Sequence, residues 1–190
     1  MCIRDSSLAG STAATVARMN FTVRRAQSAD ASTLPAIERS AAALFRCDPS
    51  LAWLADAAVP DAEDHQMAIE KEQVWVTQSA DNELMGFLSA IEVDNELHIQ
   101  EISVSQQFQG QGAGRKLLLT ALEHARKREL HGLTLTTFRD LPWNEPFYRQ
   151  FGFETLGPAE IGPRLTTVLN NEINHGLPGE RRCAMRLKLR

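Results

Sequence analysis

The segment ISVSQQFQGQGAGRKLLL, from Ile102 to Leu119, sets the tightest limits on how this chain can fold. A β-branched apolar run ends there, glycine stands at positions 110, 112 and 114, and an amphipathic pattern starts at once. A strand, a turn of nearly bare backbone and a helix must therefore follow one another without slack. The helix carries Leu117, Leu118, Ala121, Leu122 and Ala125 on one stripe, with Arg115, Lys116, Glu123 and Arg126 off it. Backbone N–H groups in a first helical turn have no internal partner, and the helix dipole adds positive potential beside them. Such a turn is a natural anion site, and glycine lets its amides come to contact distance. On the glycines alone, a turn that holds no ligand reads the same way.

Two other phosphate loops fail on spacing. A Walker loop needs Gly-Lys followed by Ser or Thr, whereas Gly114 is followed by Arg115, Lys116 and Leu117. A dinucleotide fingerprint begun at Gly110 would put its third glycine at Arg115, and it belongs on the first strand of its unit.

The rest of the chain alternates between the two periodicities. Phe21 to Arg25 reads as a strand, and an Ala-rich helix capped within Ser28 to Asp30 runs to about Phe45. A loop with a short helix fills Arg46 to Val59, followed by a polar helix from Pro60 to Glu72 and a strand from Gln73 to Thr77. Leu84 to Val93 and Glu96 to Val104 form a hairpin across Asp94 and Asn95. After the glycine helix, His131-Gly132 offers a stop, Leu133 to Phe138 a strand, and Pro142 to Phe151 a short helix. Gly152-Phe153 turns back into the sheet, Leu165 to His175 is helical, and Cys183 to Leu189 is the last strand. The class is α/β (α+β), with one domain and no internal repeat.

With 190 residues and 43% hydrophobic content, there is material for one core. Lys plus Arg number 20 against 24 Asp plus Glu, and no basic stripe points to nucleic acid. Cys2, Cys47 and Cys183 fit neither a disulfide framework nor a metal site, which suits a reducing, cytoplasmic setting with no metal. No apolar window reaches membrane-spanning length. Residues 1–18 lack the basic opening and continuous apolar centre of a signal peptide, and are read as a disordered or non-native leader. The folded domain is then 19–190.

Gln109-Gly-Gln-Gly112-Ala-Gly114 resembles the Gln/Arg-x-x-Gly-x-Gly/Ala acyl-CoA signature of the GNAT superfamily of N-acetyltransferases. Tyr148-Arg-Gln-Phe151-Gly152-Phe153 resembles the Tyr-x-x-x-Gly-Phe ending of that family's fourth helix, and the order of elements is similar from Phe21 to Leu189. The resemblance implies a GNAT-like fold. Its central sheet is mixed, mostly antiparallel and of six to seven strands, flanked by about four helices and splayed between strands 4 and 5.

It also implies acetyl-CoA as cosubstrate, an amine as acceptor, and an acyl-CoA N-acyltransferase domain. The amides of Gln109, Gly110, Gln111, Gly112, Ala113, Gly114 and Arg115 would hold the pyrophosphate, and the pantetheine arm would pair with Ile102 to Val104. A backbone N–H near Val104 would polarise the thioester carbonyl. Tyr148, the one tyrosine in the sequence, stands where the family carries a thiolate-protonating phenol.

For the base, Glu101 lies beside the pantetheine strand, with His98 on the opposite strand parity as its rival. Leu141 occupies the position of the family's usual asparagine, so Asn144 either contacts the cofactor from a shifted place or caps the short helix. Arg139 and Asp140 line the acceptor side or form a solvated pair. Trp53, Phe45 and Asp48, with Glu172 and His175, are candidates for an acceptor pocket. A non-catalytic acyl-CoA sensor and a transferase for longer acyl-CoA are the rival readings. An edge strand near the C-terminus leaves a homodimer open.

Overall fold

The computed structural model describes residues 20–189, and the expected leader at 1–18 lies outside them. In chain order the elements are β1 (Phe21–Arg25), α1 (Leu34–Ala42), α2 (Ala62–Glu70), β2 (Val74–Ser79), β3 (Leu84–Val93) and β4 (Glu96–Val104). They continue as α3 (Ala113–Lys127), β5 (Gly132–Phe138), α4 (Glu145–Arg149), β6 (Glu154–Thr155), α5 (Pro163–Asn174) and β7 (Arg182–Lys188). The seven strands are ordered β1-β2-β3-β4-β5-β7-β6. β1 runs antiparallel to β2, and β7 antiparallel to both β5 and β6, while β4 and β5 are parallel. The mixed sheet expected from the sequence is present.

Local chemistry explains the joints. Asp94 and Asn95 both take positive φ, 53° and 59°, as the tight turn of the β3–β4 hairpin requires. α2 opens on a reciprocal cap: Asp61 accepts from the amides of Glu63 and Asp64, and Asp64 returns the bond to the Asp61 amide. The first helix is shorter than its Ala-rich pattern suggests, because from Ala43 to Cys47 the chain tightens into a 3₁₀ turn. Asp48, which precedes Pro49, is extended at φ −113° and ψ 110°, as a residue before proline prefers.

The stop of α3 also differs from expectation. The helix ends at Lys127, and Glu129 takes the left-handed φ of 56°. Gly132 is already in β5, where a Cβ would stand 2.5 Å from the Leu187 carbonyl oxygen. That glycine serves the close approach of β5 and β7, not the helix end.

The chain divides into two compact units. Of the described residues, the first comprises those up to Leu88 together with Ile102–Leu118. Its main core packs Leu34 and Ile37 of α1 and Ile69 of α2 against Val74, Val76 and Phe87 of the strands. The second comprises Ser89–Glu101 and the residues from Leu119 on. There Leu165 of α5 packs with Leu156 and Ala184, and Leu133, Leu135, Cys183 and Met185 are buried.

Candidate active site

In the first unit, the glycine loop is pinned on both sides. Phe108 before it and Ala113 after it are buried in a cluster with Met85 and Val104, against which Phe21 packs. Ser105 N–H donates to the Met85 carbonyl at 2.9 Å, which fixes the exit from β4. Between the anchors, Gln109 Nε2 donates to the Val104 carbonyl at 3.1 Å, and Gln111 Nε2 to the Gln107 carbonyl at 3.0 Å. Both glutamine side chains are thereby folded back onto the preceding strand and turn.

Gly110 and Gly112 have φ of 77° and 90°, and a Cβ built on either meets nothing within 4 Å. The requirement is thus conformational, not steric. Positive φ at alternate residues is the backbone form that turns successive N–H groups into an anion-binding concavity. On the side-chain side of Gly110 and Gly112 the space is open. One turn on, Lys116 Nζ donates to the Phe21 carbonyl at 2.7 Å and lies 4.9 Å from the Phe21 ring centroid, tying the start of α3 to β1.

The second unit contains a gap in the sheet. β4 and β5 pair only from Glu96 with Gly132 to His98 with Thr134, although both strands continue. β5 stays paired with β7 as far as Phe138 with Arg182. Beyond His98 the two parallel strands therefore part, which is the splay expected between strands 4 and 5. Glu101, half-buried, lies on the parted section of β4.

Tyr148 sits on α4, 7% exposed, with its ring edge-on to Phe147 at 5.2 Å and to Phe153 at 5.8 Å. Burial pushes its phenol pKa up, the Glu101 carboxylate adds to the rise, and the Arg182 cation opposes it. The phenol therefore stays protonated throughout the neutral range. Tyr148 and Glu101, named separately from the sequence, are electrostatically coupled within this unit.

His98 is also buried, at 5% exposure, with Nδ1 3.1 Å from Thr134 Oγ1. Its pKa is pushed down to about 4, by burial first and then by the Arg164 cation, against the pull of Glu172. A neutral, packed imidazole is the result. Glu172 is fully engaged: Arg182 donates to it through Nε at 2.9 Å and Nη2 at 2.7 Å, and Thr136 Oγ1 donates as well. The Arg182 guanidinium in turn lies 4.5 Å over the Phe138 ring. His175 bonds back to its own helix, with Nδ1 2.6 Å from the Asn171 carbonyl oxygen.

Some expectations need correction. Asn144 occupies the N-cap position of α4 but makes no side-chain cap bond; its backbone alone is used, the amide donating to the Leu141 carbonyl at 3.0 Å and the carbonyl accepting from the Tyr148 amide at 3.2 Å. Arg139 and Asp140 are not a pair. Arg139 Nε donates to the Arg182 carbonyl at 3.0 Å, while Asp140 accepts from Arg181 at 2.7 Å. Both thus brace the end of β5 against the start of β7. Of the residues named between the first two helices, Asp48 binds the amide and hydroxyl of Ser50, and Trp53 is 45% exposed. Sequence reading missed Arg182 and Thr136, whose partnership with Glu172 spans chain distances that no local pattern reports.

A family model, the Acetyltransferase (GNAT) family, matches residues 39–153, more than half of the chain. The chain belongs to the GNAT acetyltransferase family. The match contains both the glycine loop and Tyr148. Solved structures agree on the fold. The PaiA N-acetyltransferase from Thermoplasma acidophilum, in complex with coenzyme A, is 17% identical with a TM-score of 0.65, covering 90% of this chain and 100% of that one. The N-acetylglutamate synthase from Neisseria gonorrhoeae, complexed with coenzyme A and N-acetyl-glutamate, is 17% identical with a TM-score of 0.66, covering 90% of this chain but 35% of that one. The ribosomal-protein-S18-alanine N-acetyltransferase from Escherichia coli is 16% identical with a TM-score of 0.62, covering 89% and 94%. Among the described residues no helix is long and apolar enough to cross a membrane.

Proposed function

We propose that this GNAT protein is an acetyl-CoA-dependent N-acetyltransferase that moves the acetyl group to a primary amine by direct attack in a ternary complex. The observation that carries the reading is the loop of alternating positive-φ glycines between β4 and α3. The coenzyme A complexes among the structurally similar proteins support the same ligand class. Acetyl-CoA supplies an acetyl group already activated as a thioester. The amides from Gln109 to Arg115 hold its pyrophosphate, Ile102 to Val104 receive the pantetheine arm, and a backbone N–H near Val104 polarises the carbonyl.

Glu101 takes the proton that the amine loses, directly or through one water, and Tyr148 gives its proton to the departing sulfur. The coupling between these two groups gives the sequence a physical order. Burial first, and after it the negative charge of Glu101, hold the phenol pKa up. Once Glu101 has accepted a proton that charge is gone, and Tyr148 becomes the better acid when the thiolate leaves. The domain responsible is 19–190, working in the cytoplasm.

Tyr148→Phe tests the reading. Turnover should fall by about 10²–10⁴, the usual worth of a positioned acid, while acetyl-CoA affinity stays within a few-fold. Equal loss of affinity and turnover would make Tyr148 a packing residue.

A further inference from the structure

α4 carries the proposed proton donor, yet it is only five residues long and cannot hold itself in place. Its N-cap residue gives no side-chain bond, so its orientation comes from contacts to the rest of the unit. Tyr148 and Phe147 supply ring contacts. A further tie is Glu145, at the first position of the helix and one turn before Tyr148.

Glu145 is a charged residue at 7% exposure. Its Oε1 accepts from Arg149 Nη2 at 2.7 Å and from the hydroxyl of Thr155. Thr155 belongs to β6 and faces Met185 of β7 in the register, so this carboxylate links α4 to the sheet. The Cys183 thiol of β7, fully buried, is pushed up to about 11 by burial and next by the charge of Glu145. Burying a carboxylate is costly unless it is bonded.

We propose that Glu145 is a positioning residue: through its bond to Thr155, with Arg149 Nη2 holding the carboxylate and reaching the same Thr155 hydroxyl at 3.4 Å, it fixes α4 on β6 and so sets where the Tyr148 hydroxyl stands. The catalytic part of this inference rests on Tyr148 being the proton donor; the placement does not.

Because Tyr148 is the one tyrosine in the chain, protein grown with [¹³Cζ]tyrosine gives a single ring signal that reports its surroundings. In Glu145→Ala this signal should shift or split, and kcat should fall about tenfold or more with the KM for acetyl-CoA within about twofold. Glu145→Gln keeps an oxygen acceptor for Thr155 and Arg149 and should restore both readouts to near wild type. Thr155→Val, which removes the hydroxyl that Glu145 and Arg149 both engage and leaves the sequence of α4 unchanged, should move the signal in the same direction, and it serves if Glu145→Ala does not fold. A signal unmoved in Glu145→Ala or Thr155→Val would overturn the proposal. So would a moved signal with unchanged kcat, or a Gln variant as impaired as the Ala variant. A moved signal in a protein that acetylates no amine would leave the placement standing and sink the proposed activity instead.

Discussion

Acidification offers a quantitative test through His98. The imidazole is buried beside Thr134 with a pKa of about 4 in the folded protein, against about 6.5 in an unfolded chain. Its folded pKa is the lower one, so the unfolded state binds the proton first as pH falls. The stability that the neutral ring allows is present above pH 6.5 and drains away toward pH 4. Integrating the two titrations gives a loss of about 2 kcal/mol between pH 7 and pH 5, rising to about 3 kcal/mol by pH 4. For a chain of this size, 2 kcal/mol corresponds to roughly 4–8 °C in Tm.

Urea unfolding at pH 7 and pH 5 of the wild type and of His98→Gln isolates the effect, because carboxylates titrate alike in both and glutamine does not titrate. The wild type should lose about 2 kcal/mol more than the variant over this interval. Equal losses would mean that His98 is not held neutral by burial. The same result would return it to the list of candidate bases beside Glu101.

Two substitutions probe the backbone of the first unit. Gly112→Val places a β-branched side chain at φ 90° in open space, so stability should drop by only about 1–2 kcal/mol. Acetyl-CoA affinity should fall about 10- to 100-fold by calorimetry, the worth of one lost charge-assisted bond; unchanged affinity would remove the phosphate role of the loop. Gly86→Ala differs in kind, since its Cβ would stand 2.6 Å from the Ser103 carbonyl oxygen and 3.0 Å from Val104 Cγ2. Overpacking against backbone should cost about 1–3 kcal/mol, and a Tm within a degree of wild type would show that β3 and β4 have slack there.

What could be read from the sequence was what is written locally. The hairpin turn at Asp94-Asn95, the glycine loop and the Tyr148 helix each announce themselves within a few residues; the first two are where they were expected, and the helix lies inside its expected range of Pro142 to Phe151, shortened to Glu145–Arg149. Gly132 was misread as a helix stop because its purpose, clearance for the Leu187 carbonyl, lies more than fifty residues away. The same holds for the side. Glu172 could be named as a polar residue near the last strand, but its capture by Arg182 and Thr136 depends on how β5, β7 and α5 meet. Glu145 carried no signal, since a glutamate in a helical first turn is ordinarily a solvated residue favoured by the helix dipole. Its burial follows from β6, two residues long and invisible to any periodicity.

Thiol release from acetyl-CoA across a broad panel of amines, run on wild type and Tyr148→Phe with calorimetric acetyl-CoA binding on the same samples, is the most direct test of the proposed activity. Release with one chemical class of amine, largely lost in Tyr148→Phe at nearly unchanged acetyl-CoA affinity, is the predicted result. Acetyl-CoA binding without release for any amine would contradict it in favour of a sensor, and release that Tyr148→Phe leaves intact would contradict the assigned proton donor.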